Sequence, residues 1–456
     1  MNLHTSTCSN KNLSFEILDG LKIKLDIVEN PYAIPVSSLF SMAARINKKR
    51  SFLFVSKVLG KHIPIKPETG IAAGLLLAAR TVEKDCKKAG EAIPSLLDCI
   101  KGKKKLDHCL PFISDKFNPV IIGFAETATA LGHSFFEAFH SGNYIHTTRE
   151  ILKGESPLIA FEEEHSHATS HRIYAPLSFL DNDREIILVD DELTTGKTAL
   201  NVIQSIQKRF PRKKYTVASL LDWRSAEDKE KFRQMEERLG IQIKTASLLQ
   251  GKANIVKETI SIREQENSGR EKTTQNISFY SFTSHGPIYK PSVTADGKRM
   301  NSIPYIRETG RFGLDSEASE GIAGWTKQAG EFLKEKRTGK KSLVLGTGEF
   351  MYIPMKIASY MGDGVFYQST TRSPIYPSNR DGYAVKFSYS FPNPEDESIV
   401  HYVYNIPPFG YDEIFICFER EIEREKLNPM MEELKKTGIK EIKVIFFSEK
   451  KKGDSI

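Results

Sequence analysis

The sequence predicts an α/β protein: a mostly parallel sheet with helices on both faces, followed by a second α/β domain. Three stretches carry that expectation. Residues 184–209 read as a short apolar strand, an acidic pair, a hydroxyl-rich turn and an amphipathic helix. Residues 117–140 read as a strand, a loop of small residues and a helix. Beyond residue 340 the same alternation returns. Strands separated by helices are joined by crossovers, which place them parallel in one sheet. At 456 residues the chain exceeds one ordinary core. Two domains are therefore expected, over 25–250 and 301–450, with the polar stretch 251–300 as a linker or irregular excursion.

Composition narrows the class. Apolar residues make up 39% and charged residues 27%, the balance of a soluble globular protein. A net charge of +7 suits small anionic ligands as well as nucleic acid and decides little. The five cysteines are scattered, odd in number and without CxxC spacing, which fits reduced thiols in the cytoplasm. The N-terminal residues lack both a basic start and an apolar run, so no signal peptide is expected. The longest apolar run, 71–79, is too short to span a bilayer, so no membrane partner is expected.

In chain order, 14–45 is a strand-bearing lead-in, and 45–60 joins a basic cluster to an apolar run. That cluster could clamp a phosphate or be a solvated turn. Residues 68–90 read as one helix closing at Gly90, and the KGKKK run at 101–105 as a solvated loop. In 117–140 the strand covers 120–124, the loop is AETATA, and a helix begins at Leu131 with Phe135, Phe136 and Phe139 toward a core. Small residues let backbone approach a ligand closely, and Thr127 and Thr129 add hydroxyl donors.

Residues 144–174 are polar and show little periodicity. His165, His167 and His171 invite a metal reading, but HxHxxxH fixes no geometry, and no dedicated metal site is expected.

The stretch REIILVDDELTTGKTAL at 184–200 is the most informative. The apolar strand covers 186–189 and Asp190 and Asp191 stand at its carboxyl end. Thr194, Thr195, Gly196, Lys197 and Thr198 form the turn, and Ala199, Val202, Ile203 and Ile206 share one helix face. Ligands of open α/β sheets sit outside the carboxyl ends of the strands. Loop N–H groups, a helix N-terminus and hydroxyls favour phosphate. Carboxylates accept hydrogen bonds from ribose hydroxyls, each worth roughly 1.5–3 kcal/mol. The order therefore suits a sugar phosphate. A Walker A loop is rejected, because its first glycine would fall on Asp191.

After this, 215–221 reads as the next strand. Trp223, just past it, could stack on a planar base or pack in the core. Residues 225–240 read as a charged helix. In the second domain strands are expected at 343–345, 365–368, 413–418 and 442–447, with helices at 321–336 and 424–437. Candidate anion-binding residues there are Arg307 and Arg311 around Gly310, the turn Gly346, Thr347 and Gly348, and Thr371, Arg372 and Ser373 after a strand.

IILVDDELTTGKT resembles the phosphoribosyl-pyrophosphate (PRPP) motif of type I phosphoribosyltransferases, such as the orotate enzymes, with Glu192 where the family usually has an apolar residue. With Thr371-Arg372-Ser373-Pro374, the layout resembles a bacterial fusion family in which such a domain precedes one named for its Thr-Arg-Ser-Pro tetrapeptide. The resemblance implies phosphoribosyl transfer from PRPP with Mg²⁺ to a nitrogenous base or similar small acceptor, releasing pyrophosphate. It gives Asp190 and Asp191 the ribose and the cationic transition state, and Thr194 to Thr198 the 5-phosphate. It gives Glu126, Thr127, Ala128 and Thr129 the pyrophosphate, and makes Arg149, His167, His171 and Arg172 candidates on a mobile closing loop. Members are associated with tellurium-resistance and stress operons and a nucleoside-like product. A homodimer, and contacts with other proteins of the operon, are compatible with it. The alternative is a PRPP-sensing regulator that binds nucleic acid, against which stands the lack of any recognisable nucleic-acid module. A third reading places the chemistry in the C-terminal domain.

Overall fold

The computed structural model describes residues 12–46, 51–106, 111–162, 170–258, 274–284 and 286–450. Its first sheet has eight strands, in the order Asn12–Leu18, Leu21–Glu29, Gln242–Glu258, Lys214–Asp222, Ile186–Leu193, Val120–Gly123, Asn143–His146 and Leu314–Asp315. The five strands from 242–258 to 143–146 are parallel, and the pairs outside them are antiparallel. Strands buried on both faces must be apolar throughout, which is why Val120 to Gly123 and Ile186 to Val189 are wholly buried.

The second sheet is all parallel, in the order Asn276–Ser281, Glu441–Phe446, Glu413–Phe418, Ser342–Gly346 and Val365–Ser369. The stretch expected to link the domains is thus partly structure. Its residues 251–258 belong to the first-sheet strand Gln242–Glu258, and 276–281 form an edge strand of the second. That edge strand has one partner and a polar sequence, so it lacks the apolar run of a central strand. The chain then returns to the first sheet at 314–315 before entering the helix Ser316–Glu335.

The helix expected over 68–90 is two. Pro67–Val82 begins on its proline and ends at Val82, and Lys87–Ile100 starts after a polar turn. Gly90 lies inside the second helix, not at an end. A hairpin of Ser388–Asn393 and Asp396–Tyr404 had no expected counterpart.

The two sheets are joined through helices. Pro67–Val82 and Ala128–Phe136 of the first unit pack with Tyr352–Tyr360 of the second, and one apolar core runs through all three. At Gly70 the approach is close: a Cβ there would lie 2.4 Å from Met355 Sδ. A separate core lines the far face of the second sheet, around Leu343, Phe418, Met430 and Phe446. No helix among the described residues is long and apolar enough to cross a membrane.

Candidate functional site

The acidic strand is longer than its apolar run. It continues to Leu193, because the neighbour Lys214–Asp222 carries the ladder on to Leu193 opposite Asp222. On the other side the partner ends at Gly123, opposite Val189. Asp190 to Leu193 therefore project past one neighbour while held by the other. Successive strand residues point to opposite faces, so Asp190 and Asp191 bracket this tip. Asp190 Oδ1 accepts the Asp191 N–H at 2.9 Å, and both residues are half-buried.

The turn delivers the chain into the helix Lys197–Arg209, whose buried face is Ala199, Leu200, Val202, Ile203 and Ile206. Gly196 caps it with φ +74°. A Cβ there would stand 2.6 Å from the Phe232 ring, so the position tolerates only glycine on two counts. The Lys197 N–H reaches Thr195 Oγ1 at 3.3 Å. Thr194, Thr195 and Thr198 are half-buried and Lys197 is exposed, so hydroxyls and the helix N-terminus form a donor-rich rim. Trp223 lies elsewhere. Its ring is 7% exposed, stacked on Phe54 at 4.6 Å with Phe40 edge-on, which makes it a core residue and not a base platform. Beside it, Asp222 and Arg224 form a buried two-pronged pair at 2.9 and 2.7 Å.

The 126–129 loop follows Val120–Gly123 through a cis bond between Ala125 and Glu126. The helix starts at Ala128, three residues earlier than expected, so Ala128 and Thr129 lie in its first turn. Thr127 Oγ1 accepts from Lys61 Nζ at 2.5 Å, and Thr129 Oγ1 donates to Glu126 O at 2.9 Å. The second domain meets this loop. Thr371 Oγ1 and the Arg372 N–H each lie 3.4 Å from Glu126 Oε2. Burial opposes the Glu126 charge, yet Lys61, His401, Arg149 and Arg372 together hold its carboxyl below the usual range.

The other second-domain candidates divide. Thr347 Oγ1 donates to Cys417 O at 3.0 Å and the Gly348 N–H to Thr370 Oγ1 at 3.0 Å. Gly346 packs so that a Cβ would meet Phe350 O at 2.6 Å. Glu349 after them crosses to the first domain, accepting from Thr148 Oγ1 at 2.6 Å and the Arg149 N–H at 2.8 Å. This turn is a clasp, with its donors turned inward. Arg311 is likewise not an anion site. It is buried against Glu419 at 2.6 Å, Glu349 at 3.4 Å and Glu150 at 3.5 Å. Arg307 is exposed, 4.0 Å from Asp315. Ser373 donates its N–H to Thr371 Oγ1 and its carbonyl accepts from Tyr404.

The mobile-loop stretch contains a hairpin of Ile159–Glu162 and Ser170–Ile173. Arg149 and Arg172 line a cavity of about 130 Å³ between the domains, with Glu349, Arg372, Glu395, His401 and Arg420. His171 faces the interior, 2.9 Å from Thr147 Oγ1 and stacked on Phe161. His165, His167 and the basic residues 48–50 lie outside the described residues. No group of three or more His, Cys, Asp or Glu among the described residues is placed to hold a metal. The sequence reading missed Lys61, Thr148, His401 and Glu395. None of them belongs to a recognisable local motif, and each becomes significant only through distant contacts.

Residues 39–252 match a family model described as phosphoribosyl transferase, and residues 308–434 match that of the TRSP domain C-terminal to it. No curated protein matches the chain. Solved structures with a likeness include adenine phosphoribosyltransferase from Rhodothermus marinus, at 16% identity over 47% of this chain and 96% of that one, with a TM-score of 0.25. The Trypanosoma brucei adenine enzyme shows 11% identity over 52% and 87%, with a TM-score of 0.26. Orotate phosphoribosyltransferase from Mycobacterium tuberculosis shows 12% identity over 39% and 87%, with a TM-score of 0.18.

Proposed function

We propose, from the match of residues 39–252 to a phosphoribosyl transferase family and of 308–434 to the TRSP domain that follows it, that this chain transfers the phosphoribosyl group of PRPP to a nitrogenous base or similar small acceptor. The carrying observation is the projecting strand Asp190 to Leu193, followed at once by the glycine-capped, hydroxyl-rich helix entry. Thr194 to Thr198 hold the 5-phosphate through backbone N–H groups and hydroxyls. Asp190 and Asp191 bind the ribose hydroxyls and favour positive charge on the sugar as the C1–O bond breaks. An acceptor nitrogen forms the new bond to C1, and pyrophosphate leaves past the 126–129 loop. Carboxylate oxygens suit a hard cation, so Asp190 and Asp191 would help hold Mg²⁺ brought by PRPP, which offsets the pyrophosphate charge.

On the resemblance alone, we further assign the product to nucleotide-like metabolism in tellurium resistance or stress, in the cytoplasm. The test is calorimetric titration with PRPP and Mg²⁺, with turnover followed as pyrophosphate release from candidate bases. Asp191→Asn keeps the shape and removes charge, so kcat/KM should fall by roughly 10²-fold or more. A folded mutant with unchanged turnover removes the acidic pair from the reaction. Failure of the wild type to bind PRPP sinks the assignment.

A further inference from the structure

The 126–129 loop contains a contradiction for a pyrophosphate site. Its first side chain is itself an anion. Glu126 is 6% exposed, and its Oε1 has no hydrogen-bond partner among the described residues. Around it stand three cations from three parts of the chain. Arg149 Nη1 is 3.9 Å from Glu126 Oε2. Lys61 is anchored on the adjacent Thr127. Arg372, from the second domain, follows Thr371 over the same carboxylate and opens onto the interdomain cavity.

His401 closes the far side. Its ring is 2% exposed, and Nδ1 pairs with Thr370 Oγ1 at 3.1 Å. Its Nε2 has no partner among the described residues. The helix Ala128–Phe136 begins at the loop, its Ala128 and Thr129 N–H groups already bonded to Phe124 O and Glu126 O. Lys61, Arg149 and Arg372 thus converge on Glu126 at the edge of a cavity that Glu349 and Glu395 also line.

We propose that the second domain completes the diphosphate pocket of the first, with Arg372 binding the pyrophosphate and Glu126 serving as the internal counter-ion that the incoming diphosphate displaces. The inference rests on the phosphoribosyltransferase reading and extends it: the TRSP tetrapeptide becomes part of the PRPP site. A diphosphate carries several negative charges and more acceptor oxygens than a carboxylate, so it pairs more fully with Lys61, Arg149 and Arg372. The arrangement also gives the fusion a reason. Neither domain alone holds the full cation set.

The experiment titrates the full chain with two separate probes in Mg²⁺ buffer, inorganic pyrophosphate and ribose 5-phosphate. Arg372→Ala should lose roughly ten-fold or more in pyrophosphate affinity. It should bind ribose 5-phosphate like the wild type, which also reports that it folds. Arg372→Lys should retain most of the pyrophosphate affinity. Glu126→Gln should bind pyrophosphate roughly three-fold or more tightly, because the carboxylate nearest these cations no longer competes for them. Equal pyrophosphate affinity in the wild type and Arg372→Ala overturns the proposal, and so does weaker binding by Glu126→Gln. Failure of the wild type to bind ribose 5-phosphate overturns instead the reading of the 194–198 loop. The pyrophosphate comparison still decides the proposal in that case.

Discussion

Two turns of this molecule share one pattern and do opposite things. Both 194–198 and 346–349 follow a buried parallel strand, contain glycine and threonine, and precede a helix. In the first, the hydroxyl residues remain half-buried at the mouth of a helix of thirteen residues. In the second, Thr347 is tied to Cys417, Gly348 to Thr370, and Glu349 to Thr148 and Arg149 across the domain boundary. The first turn is the one proposed above to meet a ligand. The other spends its donors on Cys417 and Thr370 and sends the Glu349 carboxylate across to Thr148 and Arg149 as a joint. Strand–glycine turn–helix thus locates where an anion could fit, and the partners its donors take decide whether the turn meets a ligand or joins the domains.

The largest predicted effect breaks the joint. Arg311 neutralises Glu419, Glu349 and Glu150. Removing one partner of a buried ion pair costs about 3–5 kcal/mol, because the other charge stays buried and unpaired. Arg311→Met should therefore lower stability by about that amount in urea unfolding at pH 7.5. A loss below ~1 kcal/mol would show that water reaches the cluster and that the clasp adds little to the apolar core that joins the sheets.

A smaller effect is expected at the open turn. Gly196→Ala forces a Cβ at φ +74° to within 2.6 Å of the Phe232 ring. The strain should cost ~1–3 kcal/mol of stability. PRPP affinity should drop as well, because the loop N–H groups shift. Loss of stability with unchanged PRPP affinity would separate the turn from the ligand and erase the contrast between the two turns.

How far the sequence discloses all this depends on the range of each contact. The acidic strand and its helix are legible because their signals are local. An apolar run, a glycine turn and a face of Ala199, Val202, Ile203 and Ile206 lie within one short stretch, and all four of those residues are buried. The edge strand Asn276–Ser281 is illegible because an edge strand needs little apolar sequence. The two-helix break after Val82 hides in a polar stretch that reads as continuous helix. The clasp could not be read at all. Glu349 and Thr148 are 201 residues apart, and Thr371 and Glu126 are 245 apart. Local pattern shows a turn fit for an anion, but not that distant partners have already taken its donors. Trp223 makes the same point in reverse: the ring's partner, Phe54, lies in a strand far upstream.

The smallest effect is a pH dependence confined to the joined side. Glu395 lies beside Arg420 at 3.2 Å, in the cavity lined also by Arg149 and Arg372. Burial pushes its carboxyl up to about 7, against the pull of Arg420, with Glu150 and Glu419 adding to the rise and Arg311 opposing it. A carboxyl whose folded value exceeds its unfolded value of 4.5 gives stability that is full below pH 4.5. That stability is lost as pH rises through 7, because the unfolded chain releases the proton first. Glu150, drawn down to about 2 by Arg420 and Arg311 despite its burial, works the other way and only at the acid end. Glu395→Gln should then match the wild type near pH 4.5 and exceed it at pH 8 by on the order of 1–3 kcal/mol. Thermal unfolding followed across that range measures the difference. Parallel curves for the two proteins would mean that Glu395 is ionised in the folded chain, with Arg420 outweighing burial. The cavity would then carry one negative charge more at neutral pH, and a diphosphate would face a stronger competitor there than Glu126 alone.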